Sequence, residues 1–295
     1  MAESPRERWV QTSRLSMYYR DWGPGSPAGI PVVALHGLAS SSRWYDLVAP
    51  LLTDTHRIVA PDQRGHGRSE HPSTGYDWQS LAADVVELME TVGLDRPAVL
   101  GHSWGGYVAL ALAAKFPRSL SRLVLIDGGF MDWTRWPGAD RDWFENLLKP
   151  RRVTGGPEEY LASQQAHLAN CWSPELEPIV MSMVHTGEDG QVRDILDPAN
   201  HAQVLDALWT EPPSTMFHRV ECPALVVPAG PGERSAASQF ARMREEMAEA
   251  ACTAIPDCRV EWVPDTIHDI GYHKPAELSR ILRRFLAEEA GPAKS

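Results

Sequence analysis

Short, nearly continuous apolar runs set between longer amphipathic stretches restrict the fold of this chain more than any other feature. Residues 31–36 (P-V-V-A-L-H), 57–60 (R-I-V-A), 97–101 (P-A-V-L-G), 122–126 (R-L-V-L-I), 223–229 (P-A-L-V-V-P-A) and 259–263 (R-V-E-W-V) read as strands. Most of these runs lack the polar alternation of a half-exposed strand, so they suit strands covered on both faces. Helical patterns lie between them, near 43–52, 78–93, 104–115, 235–251 and 275–289. In the second of these, Leu81, Val85, Leu88, Met89 and Val92 share one face, and Gly93 supplies a stop. Strand–helix–strand repetition predicts an α/β fold: a mostly parallel central sheet with helices on both faces. The segments W-V-Q-T and L-S-M-Y-Y-R-D-W, near the start, predict an antiparallel hairpin added at one edge.

The rhythm breaks between residues 130 and 218, where helical stretches continue but no core strand is evident. Such a length is too great for a plain connection. The expected organisation is therefore a core domain of residues 1–129 and 219–295, interrupted by a helical cap over 130–218.

With 295 residues, 43% of them hydrophobic, the chain can bury a substantial core. Its net charge of −11 comes without a basic stripe. Nucleic acid and anionic membrane surfaces are thus not expected partners. No long apolar run marks a signal peptide or membrane span, which makes the cytoplasm the expected location. Cys171, Cys222, Cys252 and Cys258 contain no C-x-x-C pair, so reduced thiols are expected.

Chemistry concentrates in V-L-G-H-S-W-G-G, residues 99–106. A strand ends at Ser103 and a helical pattern begins just after it. Glycines two places before and two after the serine permit a tight strand-to-helix turn. Its hydroxyl would then stand at the carboxyl end of the sheet, beside the first N–H groups of a helix. Ser103 is the candidate nucleophile. A serine needs a base, and His268, in V-P-D-T-I-H after the last strand, is placed to be one. His273 is closer to the final helix and is the weaker candidate. The base needs a carboxylate to orient it. Glu233, in A-G-P-G-E-R, and Asp127, in L-V-L-I-D-G-G, both follow strands at the correct edge. Asp265 and Asp269 lie too near His268 in sequence to face it. Two backbone donors are expected to form an oxyanion hole: the N–H of Trp104 and that of Leu38, with Gly37 allowing close approach in L-H-G-L.

Together these residues resemble the α/β-hydrolase fold superfamily, in its single-cap, serine-nucleophile form, over about residues 10–290. L-H-G-L is similar to the family's oxyanion loop, and G-H-S-W-G-G to its nucleophile elbow. D-Q-R-G-H-G-R-S, residues 62–69, is similar to a structural Asp-x-Arg-Gly-x-Gly-x-Ser loop, and the spacing from His268 to Pro275 also matches. The family order of serine, acid and histidine implies Glu233 as the acid, although aspartate is usual there. Some relatives place the acid after the sixth strand, where Asp127 lies.

The resemblance implies a serine hydrolase working through an acyl-enzyme on a small, apolar carboxylic ester or lactone, without metal or organic cofactor. Serine at the elbow argues against epoxide hydrolase or dehalogenase chemistry, which uses aspartate there. Other uses of the same machinery are acyl transfer or cyclisation, C–C bond hydrolysis and ligand binding without turnover. Trp133 and Trp136 of the cap, with Gly37, are expected to shape the pocket for a small-molecule substrate.

Overall fold

Eight strands make one sheet in the computed structural model, which describes residues 4–25, 27–150, 153–230 and 238–288. The chain opens with β1 (Arg6–Gln11) and β2 (Ser16–Trp22), followed by β3 (Val32–Leu35), β4 (Ile58–Pro61) and helix α1 (Trp78–Thr91). Next come β5 (Ala98–His102), α2 (Trp104–Lys115) and β6 (Arg122–Ile126). After β6 the chain forms α3 (Arg141–Leu147), α4 (Pro157–His167), α5 (Glu177–Met181), a small hairpin of β7 (Val184–Thr186) and β8 (Val192–Asp194), and α6 (Pro198–Thr210). It ends with β9 (Ala224–Val227), α7 (Gln239–Ala254), β10 (Cys258–Val260), α8 (Ile270–His273) and α9 (Pro275–Leu286).

The sheet order is β1-β2-β4-β3-β5-β6-β9-β10. The β1–β2 hairpin joins antiparallel to β4 at one edge, and all remaining pairs are parallel. Between β6 and β9, β7 and β8 pair only with each other among the described residues, so this stretch adds no strand to the main sheet.

Alternate side chains of the central strands feed two separate cores, because successive residues of a strand point to opposite faces. Val33, Leu35, Val99, Leu123, Leu125 and Val226 pack on one side with α1 and α2. Val32, Ala34, Leu100, Val124, Ile126, Leu225 and Val227 pack on the other with α9. Both layers exclude water, which is why the strands read as unbroken apolar runs. Helix boundaries follow local chemistry. The Asp77 side chain accepts the Ser80 N–H at the start of α1, and Gly93, at φ +70°, follows its end.

From β3 the chain crosses to β4 on one side, then returns to place β5 on the other. This reversal opens a crevice at the carboxyl ends of β3 and β5. The L-H-G-L loop and Ser103 meet there.

Two expectations are corrected. No α-helix spans 43–52; two short 3-10 turns occupy Ser42–Tyr45 and Ala49–Leu51. Pro50 lacks an N–H and would break the ladder inside a continuous helix. Nor are all four cysteines free: Cys252, late in α7, is bonded to Cys258 at the start of β10. The turn between them brings their Cα atoms to 4.9 Å, within bonding reach. Cys171 and Cys222 are free. Among the described residues, no helix is long and apolar enough to cross a membrane.

Candidate active site

Ser103 caps α2 with φ +52° and ψ −121°, a backbone conformation that a residue bearing a Cβ adopts only under constraint. Its neighbours make the turn possible by lacking side chains. A Cβ on Gly101 would lie 2.1 Å from the Gly105 carbonyl oxygen, and one on Gly128 would lie 2.0 Å from that of Ser103. The Ser103 N–H is held by the Ile126 carbonyl at 2.9 Å.

The Ser103 hydroxyl donates to His268 Nε2 at 2.9 Å, and His268 Nδ1–H donates to Asp127 Oδ2 at 2.6 Å. Asp127 follows β6 and is itself at φ +45°. Its other oxygen accepts the Ala229 N–H at 2.8 Å and the Arg244 guanidinium of α7. The carboxylate that meets His268 is therefore Asp127, the alternative acid, where Glu233 was the preferred expectation. Glu233 lies outside the described residues. Two positions closer at hand are accounted for elsewhere. Asp269 accepts the Trp44 indole N–H at 2.8 Å, and His273 Nδ1 pairs with the Thr266 hydroxyl at 3.1 Å.

Charge distributes accordingly. Burial opposes ionisation of Asp127, but the hydrogen bond and charge of His268, with the charge of Arg244, hold its carboxyl below the usual range. Loss of water around His268 works against its cation. The hydrogen bond to Asp127 and that carboxylate's charge prevail, and its proton affinity rises above the ordinary imidazole value. The neighbouring His102 differs: burial and the nearby His268 push its pKa down to about 4, so its ring is neutral at pH 7.

The opposite wall is the loop after β3. A Cβ on Gly37 would sit 3.1 Å from Ser103 Cβ, which shows how closely this loop approaches the serine. Two histidines fix it to residues 62–69. His36 Nε2 accepts the Gln63 N–H at 3.0 Å, and His66 Nε2 accepts the Ala39 N–H at 3.1 Å. Asp62 accepts the Ser42 and Arg68 N–H groups at 2.7 and 2.8 Å. The 62–69 loop is thus a brace for the backbone around Leu38. Trp104 opens α2, where the first N–H groups have no intrahelical acceptor.

Ser103 and His268 border a cavity of about 330 Å³ whose walls include Leu38, Trp104, Tyr107, Met131, Trp133, Leu208 and Phe240. Trp133 lines it, as expected, and donates its indole N–H to the Tyr107 hydroxyl at 3.1 Å. Trp136 does not. It stacks on Trp143 and lies against Trp133 and Phe240, one layer behind the wall. Gly37 borders a second, smaller chamber of about 160 Å³ that shares Leu38, Ser103 and His268 with the first. Arg244 is the contributor that the sequence concealed, since an arginine in the middle of an amphipathic helix carries no local signature. Among the described residues, no group of three or more His, Cys, Asp or Glu side chains could hold a metal ion.

A family profile described as alpha/beta hydrolase fold matches residues 30–153. Over 113 residues the chain is 41% identical to a non-heme chloroperoxidase of Streptomyces lividans, covering 38% of this chain and 40% of that protein. The chain spans roughly two fifths of the length of such higher-identity relatives. Over 284 residues it is 25% identical to 2-(acetamidomethylene)succinate hydrolase of Mesorhizobium japonicum, covering 95% of this chain and 94% of that one. A crystal structure of E-2-(acetamidomethylene)succinate hydrolase superposes with a TM-score of 0.77 at 22% identity, covering 96% of this chain and 100% of the other. Sheet order and serine turn are those of the α/β-hydrolase fold, the fold that the profile match over residues 30–153 also describes.

Proposed function

We propose that the protein is a serine hydrolase that cleaves a small, apolar carboxylic ester or lactone through Ser103, His268 and Asp127. The observation that carries this reading is the unbroken hydrogen-bonded series from Ser103 through His268 to Asp127, set at the edge of an apolar cavity.

Ser103 Oγ attacks the substrate carbonyl carbon while His268 Nε2 takes its proton. Asp127 keeps the Nδ1–H tautomer in place and stabilises the imidazolium that forms. The N–H groups of Leu38 and Trp104 receive the developing oxyanion. His268 returns the proton to the leaving oxygen, and water repeats the sequence on the acyl-enzyme. Residues 130–218 act as a cap whose Trp133 and Met131 exclude water from the acyl group. No step calls for a metal or organic cofactor.

The walls favour an apolar acyl group over a succinate-like one. Arg244 is the sole Lys or Arg among the described residues lining the cavity, and Asp127 already pairs with it. Among the described residues, a substrate bearing two carboxylates would find no uncommitted counter-charge there. The test is hydrolysis of p-nitrophenyl esters of increasing acyl length. Wild-type protein should turn over short to medium apolar chains, and Ser103→Ala should not. Equal rates from the two proteins would overturn the reading.

A further inference from the structure

Two chambers meet at Ser103, and they differ in chemistry as well as size. The larger is apolar. The smaller, about 160 Å³, is lined by Gly37, Ser40, His102, Gln164, His167 and Asp269, among others. That volume holds roughly five water-sized groups.

The polar atoms at this chamber are not all satisfied by the protein. Ser40 Oγ and His102 Nδ1 are buried, in residues 5% and 3% exposed, and neither has a hydrogen-bond partner among the described residues. Such groups are costly to leave unmet. The role of each can be worked out. His102 Nε2 lies 3.1 Å from the main-chain carbonyl of His268, which can only accept, so Nε2 carries the hydrogen. In a neutral ring Nδ1 is then a bare acceptor. Gly37 keeps the space beside it clear, because a Cβ there would stand 3.3 Å from Nδ1. The ring itself is fixed by stacking on Trp44, with centroids 4.0 Å apart. Asp269 adds a carboxylate, another acceptor. His102 Nδ1 and the Asp269 carboxylate are thus two acceptors facing one chamber, and a neutral occupant with a hydroxyl to donate suits them.

From these contacts we propose that the smaller chamber is a leaving-group subsite for an alcohol that bears a second hydroxyl, so that the substrate is an apolar acyl monoester of a short diol. The inference rests on the serine-hydrolase reading above. In the first step the Ser103 Oγ–acyl bond forms and the bond from acyl carbon to diol oxygen breaks. His268 passes the proton taken from Ser103 to that oxygen, and the neutral diol departs. The distal hydroxyl donates to His102 Nδ1 or Ser40 Oγ throughout.

The experiment compares two esters of the same acyl group, 2-hydroxyethyl butanoate and propyl butanoate. Turnover is measured with wild type and Ser40→Ala, and equilibrium binding by calorimetry with Ser103→Ala. The expected result is at least a tenfold preference for the hydroxyethyl ester in kcat/KM and in Kd. That ratio should contract severalfold in Ser40→Ala. Equal kcat/KM and equal Kd for the two esters would overturn the subsite while leaving the hydrolase reading intact. A preference in Kd without turnover of either ester by wild type would overturn the leaving-group role together with the hydrolase reading on which it rests. Binding of neither ester would overturn both.

Discussion

Ser103 and Asp127 follow the ends of adjacent parallel strands, and both hold their backbone at positive φ, +52° and +45°. Each such residue costs about 1–3 kcal/mol, which the surrounding structure must supply. The same local distortion turns the hydroxyl and the carboxylate toward the single imidazole between them.

The strain at Ser103 separates two inactivating substitutions. Ser103→Ala keeps the Cβ and hence the strain; Ser103→Gly releases it but adds unfolded-state entropy. Both should abolish ester turnover, while the glycine variant should be the more stable by about 1 kcal/mol. Thermal unfolding of the pair checks this. An alanine variant that melts higher would show that the turn is not strained.

Asp127 raises the proton affinity of His268, and His268 must be neutral to accept the Ser103 proton. The acid limb of kcat/KM should therefore titrate above the ordinary imidazole value of 6.5, with activity rising as pH rises through it. Asp127→Asn removes the charge that favours the imidazolium, so the midpoint should fall while kcat drops by about 10³–10⁴-fold, as for the acid in serine-protease triads. A pH–rate profile of each protein reads both effects. An unmoved midpoint in Asp127→Asn would contradict the pairing.

Arg244 acts in the opposite sense on the same ring, since its positive charge disfavours the imidazolium. Arg244→Gln should shift the acid limb upward, and Arg244→Lys should restore it in part. A uniform loss of rate without any shift would mean that Arg244 serves folding alone. Its place beside Asp127 makes it a positioning residue, holding the carboxylate that holds the base.

The aromatic wall can be tested by layers. Trp133 borders the cavity and Trp136 stands behind it. Trp133→Ala should raise KM for short apolar esters by about tenfold and extend the accepted acyl length, as expected for loss of a few kcal/mol at most of apolar contact. Trp136→Ala should do markedly less. KM values across an acyl series decide the order.

Much of this site is legible in sequence because its parts are local. G-H-S-W-G fixes a strand-to-helix turn within five residues, and Gly37 and Leu38 follow directly from β3. His268 could be found because it follows the last strand of the sheet. The acid was not legible to the same degree. Asp127 and Glu233 both follow strands that end at the same edge, and choosing between them depends on which side chain reaches Nδ1 in space. Asp127 does so through a left-handed backbone that no pattern of residue types announces. Arg244 was hidden for a related reason. It comes to Asp127 from α7, over a hundred positions away, and its charge pattern in the helix looks like any solvated face. Residues 43–52 read as one helical stretch in sequence, whereas Pro50, which has no N–H to donate, sits in the second of two separate short turns. The Cys252–Cys258 bond escaped because its spacing matches no motif, only the turn between α7 and β10.

The activated state of Ser103 is open to direct measurement. The protein is treated with a fluorophosphonate, its intact mass recorded, and the adduct mapped by peptide analysis, with Ser103→Ala and Asp127→Asn alongside. One adduct on Ser103 is expected in wild type, none in Ser103→Ala, and much slower labelling in Asp127→Asn. An unlabelled wild-type protein, or an adduct on another residue, would contradict Ser103 as the nucleophile.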